Sequence, residues 1–183
     1  MRRFSLRYNL LTYQMDQLWL PAAFWALFAI ISLFRGRPDS TLDMARGYLG
    51  AVVPLVSSIM APYAVLNDPA LELRFATPVR PERMLLERLG LIFVVQAICA
   101  LSFQWFALAL KADLASLGNW IDVQMAWLVP TLTLMGLGCA ASLLGAQSMA
   151  GAFTAGLVWL IELLARGWLA LNAGKYVLVF LPA

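Results

Sequence analysis

The chain contains no histidine and only two cysteines among its 183 residues. Charged residues make up 13% of it, where soluble domains carry about 25%. Each shortage excludes something. Without histidine, the commonest metal ligand and general base is missing. Cys99 and Cys139 both sit inside apolar runs. They read as small buried hydrophobes, because a disulfide framework calls for more cysteines in polar loops. Thirteen Lys and Arg against ten Asp and Glu leave a net charge of +3 and a pI near 9.1. No basic face is large enough to neutralise many phosphates, so nucleic acid is not an expected partner. A small basic excess suits loops that face anionic lipid headgroups. The ATP-binding motif G-x-x-x-x-G-K-[ST] is missing too. Gly174-Lys175-Tyr176 comes nearest, and it lacks the upstream glycine and the hydroxyl. Paired intramembrane acids and a serine with a nearby base are also lacking. The expectation is a protein that is not an enzyme and holds no metal or cofactor.

What the chain has instead is apolar sequence. Hydrophobic residues make up 62%, against about 45–50% in soluble domains, and mean hydropathy is +0.79. A membrane-spanning helix needs about 20 mostly apolar residues. Five stretches qualify: 18–34, 48–66, 89–110, roughly 125–144 and roughly 149–165. They are continuously apolar, so they should be helices; a membrane β-barrel would instead alternate in polarity over about 10 residues. The expected fold is all-α, a polytopic helical membrane protein forming one transmembrane domain over 1–183.

Both ends of the chain add detail. Phe4, Tyr8, Leu11, Met15 and Leu18 recur at helical spacing, with Ser5, Asn9, Thr12 and Asp16 opposite and Arg2, Arg3 and Arg7 adding positive charge. That predicts an amphipathic helix over 1–17 lying in the membrane surface. No small-residue cleavage site follows the first apolar run at the right distance, so this segment is not expected to be a signal peptide. The tail 168–183 is broken by Asn-Ala-Gly-Lys at 172–175, which favours a turn. It reads as a re-entrant or interfacial hairpin, or as a short sixth span. With the N-terminus inside, seven basic residues face inward and six outward, a slight preference for that orientation.

The connection 67–88, NDPALELRFATPVRPERMLLER, is the strongly charged loop, with four Arg and four acids. Asp68 can cap a short helix that Pro69 begins. Thr77-Pro78 ends that helix. Pro81 then starts a second helix, with Glu82 in its first turn, that runs into the third span. Leu71 and Phe75 form an apolar face while the charges point outward, which suits docking on another protein; a solvated loop is the plainer alternative.

This run resembles the cytoplasmic loop of type-2 ABC-transporter permeases. Leu71-Glu72-Leu73, Thr77-Pro78-Val79, and Leu85-Leu86 with Arg88 match successive parts of that family's loop. The position between spans two and three, the interfacial N-terminal helix and the broken tail agree as well. Pro69-Ala70 departs from the family's usual Gly-Thr, and a sixth span is expected where this sequence stops at Ala183. The resemblance implies the membrane-spanning permease subunit of an ATP-driven exporter. It implies pairing with a second copy or a homologous permease, a separate ATP-binding subunit, and a bacterial or archaeal inner membrane. Asp68, Leu71, Glu72, Arg74, Phe75, Thr77, Pro78 and Arg80 would then couple the chain to the ATPase. Two other readings stay open. One is a substrate-binding membrane subunit of an energy-coupling-factor importer, which the length and Ala22-x-x-x-Ala26 fit. The other is a non-transporting membrane scaffold.

Several residues inside the spans carry two readings each. Gly138/Ser142, Ala141/Gly145, Gly151/Ala155 and Ala152/Gly156 place small residues four apart, for dimerisation or for packing within one bundle. Ser57, Ser58, Gln96 and Gln104 can line a path or bond between helices. Glu162 is costly in lipid, and Arg166 four residues later makes an interfacial ion pair the expected answer. Pro54, Pro62 and Pro130 can kink spans two and four. Trp19, Trp120, Trp127 and Trp168 fit an aromatic belt near the span ends.

Overall fold

An apolar run deprived of water must satisfy its backbone groups internally, and the helix does so within one segment. The computed structural model describes residues 19–66 and 81–171, and the side chains of all of these except 81–84 and 165–171. Among the described residues there is no strand; the fold is all-helical. The amphipathic helix expected over 1–17, the segment 67–80 with the expected docking helix, and the end of the tail, 172–183, lie outside the described residues.

Helix α1 spans Trp19–Arg35. Gly36 stops it with a left-handed φ of 60°, while its N–H donates to the Ser32 carbonyl. A residue without Cβ suits that position. Two residues later Pro38 opens α2, Pro38–Gly47, with Asp39 in the first turn and Arg46 in the last. Proline is pre-set for that first position, and Asp39 complements the helix dipole there. A π-helical turn over Tyr48–Val52 follows, and α3 continues as Val53–Leu66. The second apolar helix thus begins at Pro38 rather than at residue 48 and is 29 residues long. Asp39, Asp43 and Arg46 lower the hydropathy of its first third, which hides it from a search for apolar runs.

The π turn has a cause in Pro54. Proline has no N–H to give to the carbonyl four residues back, and its ring crowds that carbonyl. Here that group belongs to Gly50. The helix widens by one residue instead, and the Val53 N–H donates to the Tyr48 carbonyl.

Helix α4, Pro81–Ala109, starts at the expected proline and runs through the third apolar stretch without a break. Lys111 closes it in the left-handed region at φ 61°, with Lys111 N–H bonded to Leu108 O and Ala112 N–H to Ala107 O. That is the two-bond closure usually built on glycine. A 3-10 turn, Leu114–Leu117, leads to α5, Trp120–Gly145. Asn119 and Asp122 form a reciprocal capping box at its start. Ala146 turns the chain in the left-handed region, and α6, Ser148–Leu171, returns antiparallel. The first residues of the expected tail hairpin, 168–171, therefore continue the helix of the fifth apolar run.

Pro38–Leu66, Leu85–Ala109 and Trp120–Gly145 are long and apolar enough to cross a membrane. Trp19–Arg35 and Ser148–Leu164 are shorter apolar helices. The radial pattern is the reverse of a soluble protein's. Phe34, Leu144, Leu164, Trp105 and Phe153 are exposed, while Ser57, Ser58, Gln96, Gln104 and Thr131 are buried. Apolar surface on this scale is unfavourable in water and suits a lipid surround.

Helix α3 packs against both α5 and α6, which form a hairpin. On the other side α4 lies against α3, and α1 leans on α4 and α2. At one end of the bundle Trp25, Phe28, Tyr48, Phe103 and Phe106 interlock, with the Tyr48 and Phe103 ring centroids 4.4 Å apart. At the other end Val56, Met60, Ala64, Ile92, Met135 and Cys139 pack together.

The tightest meeting is between α3, α5 and α6. A methyl group at Gly151 would overlap the Gly138 carbonyl and lie 2.6 Å from Ser142 Cβ and 3.0 Å from Pro62 Cβ. Gly136, by contrast, faces open space. Gly151→Ala is therefore expected to destabilise the bundle by about 1–3 kcal/mol, the usual cost of overpacking. Gly136→Ala should leave stability unchanged or slightly raised, since alanine favours a helix. Unfolding of the two purified variants in detergent measures the contrast.

Candidate functional site

The charged connection joins two helix ends that the structure describes. Helix α3 ends at Leu66 and α4 begins at Pro81. Between them, Asp68, Leu71, Glu72, Arg74, Phe75, Thr77, Pro78 and Arg80 lie outside the described residues. The two ends are tied together. Arg88, two turns into α4, donates from Nη1 to the Ala64 carbonyl at 2.6 Å. A guanidinium there offsets the negative end of the α3 dipole and satisfies a carbonyl at the helix C-terminus. Leu86, just before it, is exposed. This bond links the end of α3 to the start of α4.

Helix α3 is also where the backbone departs from regular α geometry. Beyond the π turn, Pro62 sits inside the helix and cannot donate to the Ser58 carbonyl. Close to that carbonyl lies Gly138, where an added Cβ would be 3.0 Å from Ser58 O. The serine hydroxyls serve the same helix: Ser57 Oγ donates to Val53 O at 2.7 Å and Ser58 Oγ to Leu55 O at 2.7 Å. At the π turn the Ala51 carbonyl accepts from Trp159 Nε1 of α6 at 3.0 Å. An indole from another helix thus satisfies a carbonyl of the widened turn.

The glutamines join helices. Gln124 Nε2 of α5 donates to Gln104 Oε1 of α4 at 2.8 Å, and Trp127 Nε1 donates to Gln124 Oε1 at 2.9 Å. Gln96 Nε2 of α4 reaches Met60 Sδ of α3 at 3.6 Å. Of the two readings of these residues, bonding within and between helices accounts for Ser57, Ser58, Gln96 and Gln104. Trp127 is 4% exposed and stacks on Phe93, so it does not belong to an outward aromatic belt. Trp19 and Trp120, each the first residue of its helix, are exposed and fit one. The Trp168 side chain lies outside the described residues.

The small residues divide in the same way. Gly138/Ser142 and Gly151/Ala155 meet each other and Pro62 inside the bundle. Gly145 faces Ala150 across the turn, and Gly156 has open space where a side chain would stand. Glu162 is buried, 5% exposed. The side chain of Arg166, its expected partner, lies outside the described residues. Both cysteines are free, Cys139 buried and Cys99 half-buried. Among the described residues no three His, Cys, Asp or Glu side chains gather as a metal site would need.

Sequence reasoning missed two features here, the π turn with its Trp159 latch and the buried Thr131. Pro54 after Gly50 was the available signal for the first, and a threonine directly after Pro130 for the second. Replacing Trp159 by Phe keeps most of the ring packing and deletes the donor to Ala51. That change should cost about 1 kcal/mol, the net worth of one hydrogen bond, and more if the carbonyl is left dry. Trp105→Phe, at a position 73% exposed, should cost almost nothing. Thermal unfolding of both variants in detergent provides the comparison.

Compared with known proteins, the chain matches no family model, no curated protein and no solved structure at a significant level.

Proposed function

We propose that this chain is the membrane-spanning permease subunit of an ATP-driven ABC exporter. It would pair with a second copy or a homologous permease and work with a separate ATP-binding subunit. In this reading all five apolar helices cross a bacterial or archaeal inner membrane, α1 and α6 included. The N-terminal segment lies in the inner interface, and the tail forms the outer hairpin. The resemblance of the 67–88 run to permease loops supports the reading.

The single structural observation that supports it best is the tie from Arg88 to the Ala64 carbonyl. A coupling loop must transmit force rather than absorb it. Here the helices on both sides of the charged connection are joined within two turns of it. One of them, α3, is packed against α5 and α6. Closure of two ATPase subunits would push the short helix carrying Leu71, Glu72 and Phe75, and α3 and α4 would tilt as a unit. The π turn and Pro62 give α3 two places to bend. Binding energy from ATP would thus shift the bundle between two states of access.

The test is reciprocal charge reversal. The full chain is purified from its native membranes with its bound ATPase, and vanadate-sensitive ATP hydrolysis is measured per mole of chain. Glu72→Lys and Arg74→Glu should each lower the associated hydrolysis about tenfold or more, the loss of an interfacial ion pair worth about 1.4 kcal/mol or above. Hydrolysis that is absent from the wild type, or unchanged in both variants, contradicts the assignment.

A further inference from the structure

Most of the bundle turns apolar side chains outward, but α2 does the opposite. Asp39, Asp43 and Arg46, at helical spacing, are exposed on one face, while Thr41, Ala45 and the following Tyr48 are buried on the other. A polar face turned out and a packed face turned in is the pattern of a helix in water. On α4 and α5 the exposed side chains include Val94, Leu101, Val129 and Leu132, the pattern of a helix in lipid. The surround therefore changes somewhere along the bundle, and contacts between the helices fix the level.

Tyr48 meets Phe103, Met60 meets Gln96, and the Ala64 carbonyl meets Arg88, so α3 and α4 run antiparallel along their length. Arg46 comes two residues before Tyr48 and Trp105 two residues after Phe103, toward the same end of the bundle. Gln104, beside Trp105, bonds Gln124 and ties α5 to that level. From there to the other end, three helices give one length. Arg46 to Leu66, Leu85 to Trp105 and Gln124 to Gly145 each take about 20 residues, or about 30 Å. That matches the hydrocarbon core of a bilayer, which is about 30 Å thick. Trp105 is 73% exposed there, and an outward indole favours the membrane interface. Arg46 is exposed too, and an arginine can lay its stem on apolar surface while its guanidinium reaches lipid phosphates.

What lies past that level agrees. Phe28 packs on Tyr48, which places exposed Phe34 about 6 Å further out along α1, as exposed Trp120 is along α5. Both fall in the headgroup layer, about 5–7 Å deep on each side. Asp39 stands about 10 Å beyond Arg46, past that layer. Lys111, Asp113, Ser116, Asn119 and Asp122, between the end of α4 and the first turn of α5, are exposed polar residues.

We propose that a phospholipid surface meets the bundle at the level of Arg46 and Trp105, so that α2, the 3-10 turn Leu114–Leu117 and the start of α5 form a collar seated on the headgroups. The collar is at the end of the bundle opposite the charged connection. The inference rests on the reading that these helices cross a membrane and does not depend on the ATPase reading.

Spin labels report the level. The full chain, with Cys99→Ala and Cys139→Ala, receives one new cysteine at a time: Asp43→Cys, Ser116→Cys, Val94→Cys or Leu132→Cys. Each is labelled and reconstituted in vesicles of dioleoylphosphatidylcholine. Collisions with a water-soluble nickel chelate and with oxygen, which concentrates in hydrocarbon, are measured; neither depends on which way the chain inserts. Labels at 43 and 116 should meet nickel several-fold more often than those at 94 and 132, and oxygen less often. A label at 43 or 116 as nickel-poor and oxygen-rich as those at 94 and 132 overturns the proposal and leaves the spanning helices in place. Nickel contact at 94 and 132 equal to that at 43 and 116 overturns the proposal together with the membrane reading. Should the cysteine-free chain not fold, tryptophan quenching by brominated lipids decides, as the difference between wild type and Trp105→Phe. Trp105 should be quenched more by bromine near the headgroup end of the acyl chain than by bromine near its tip; the reverse order overturns the proposal.

Discussion

At Gly151 the backbone of α6 comes so close to Gly138 and Ser142 of α5 and to Pro62 of α3 that no side chain fits between them. Helices in lipid gain nothing from hiding apolar surface from water, since the lipid is as apolar as they are. They associate through van der Waals contact and the few polar groups they share. Close approach is possible only where the residues are small, and this chain gathers glycine, alanine and serine on the facing stripes of the α5–α6 hairpin. Proline on α3 completes the contact. The hairpin's register follows from it.

A second constraint is the accounting of backbone carbonyls. Three prolines within helices, Pro54, Pro62 and Pro130, each deprive a carbonyl of its ordinary donor. The bundle answers in different ways. At Pro54 the helix widens into a π turn, and Trp159 donates to the neighbouring Ala51 carbonyl. At Pro62 the Gly138 backbone closes on the Ser58 carbonyl. At Pro130 a buried threonine follows, with its hydroxyl uncommitted. In a bundle that cannot draw on bulk water, such places are where geometry can change or a ligand can enter.

The helices themselves were legible, because continuous apolar runs admit one backbone solution in lipid. Pro81 was legible as the start of the fourth helix for a local reason: proline fixes φ and needs no donor. The first third of the second apolar helix was not, because its exposed Asp39, Asp43 and Arg46 lower the hydropathy. Its local start signal is Pro38-Asp39 after Gly36. What a one-dimensional pattern could not supply was rotation. Trp127 stands near a helix start, as a belt tryptophan does, yet it turns inward to Gln124 and Phe93. Glu162 is buried on α6, which its place along the chain did not show. The small-residue pairs were visible as pairs, but which neighbour they met depended on which face α3 covered. The expected coupling residues, 68–80, were read from local capping and proline rules and from family resemblance alone.

These points meet in a single physical statement: the three-helix seam at Gly138, Gly151 and Pro62 positions everything else in the bundle. A double-mutant cycle tests it most directly, with Gly138→Ala, Gly151→Ala and the pair compared by unfolding in the same detergent. Two methyl groups forced into one gap must interact. The account predicts that the cost of the double variant departs from the sum of the single costs by about 0.5 kcal/mol or more. Costs that add to within about 0.3 kcal/mol would mean that the two glycines do not share a contact, and the seam would lose its place as the organising feature.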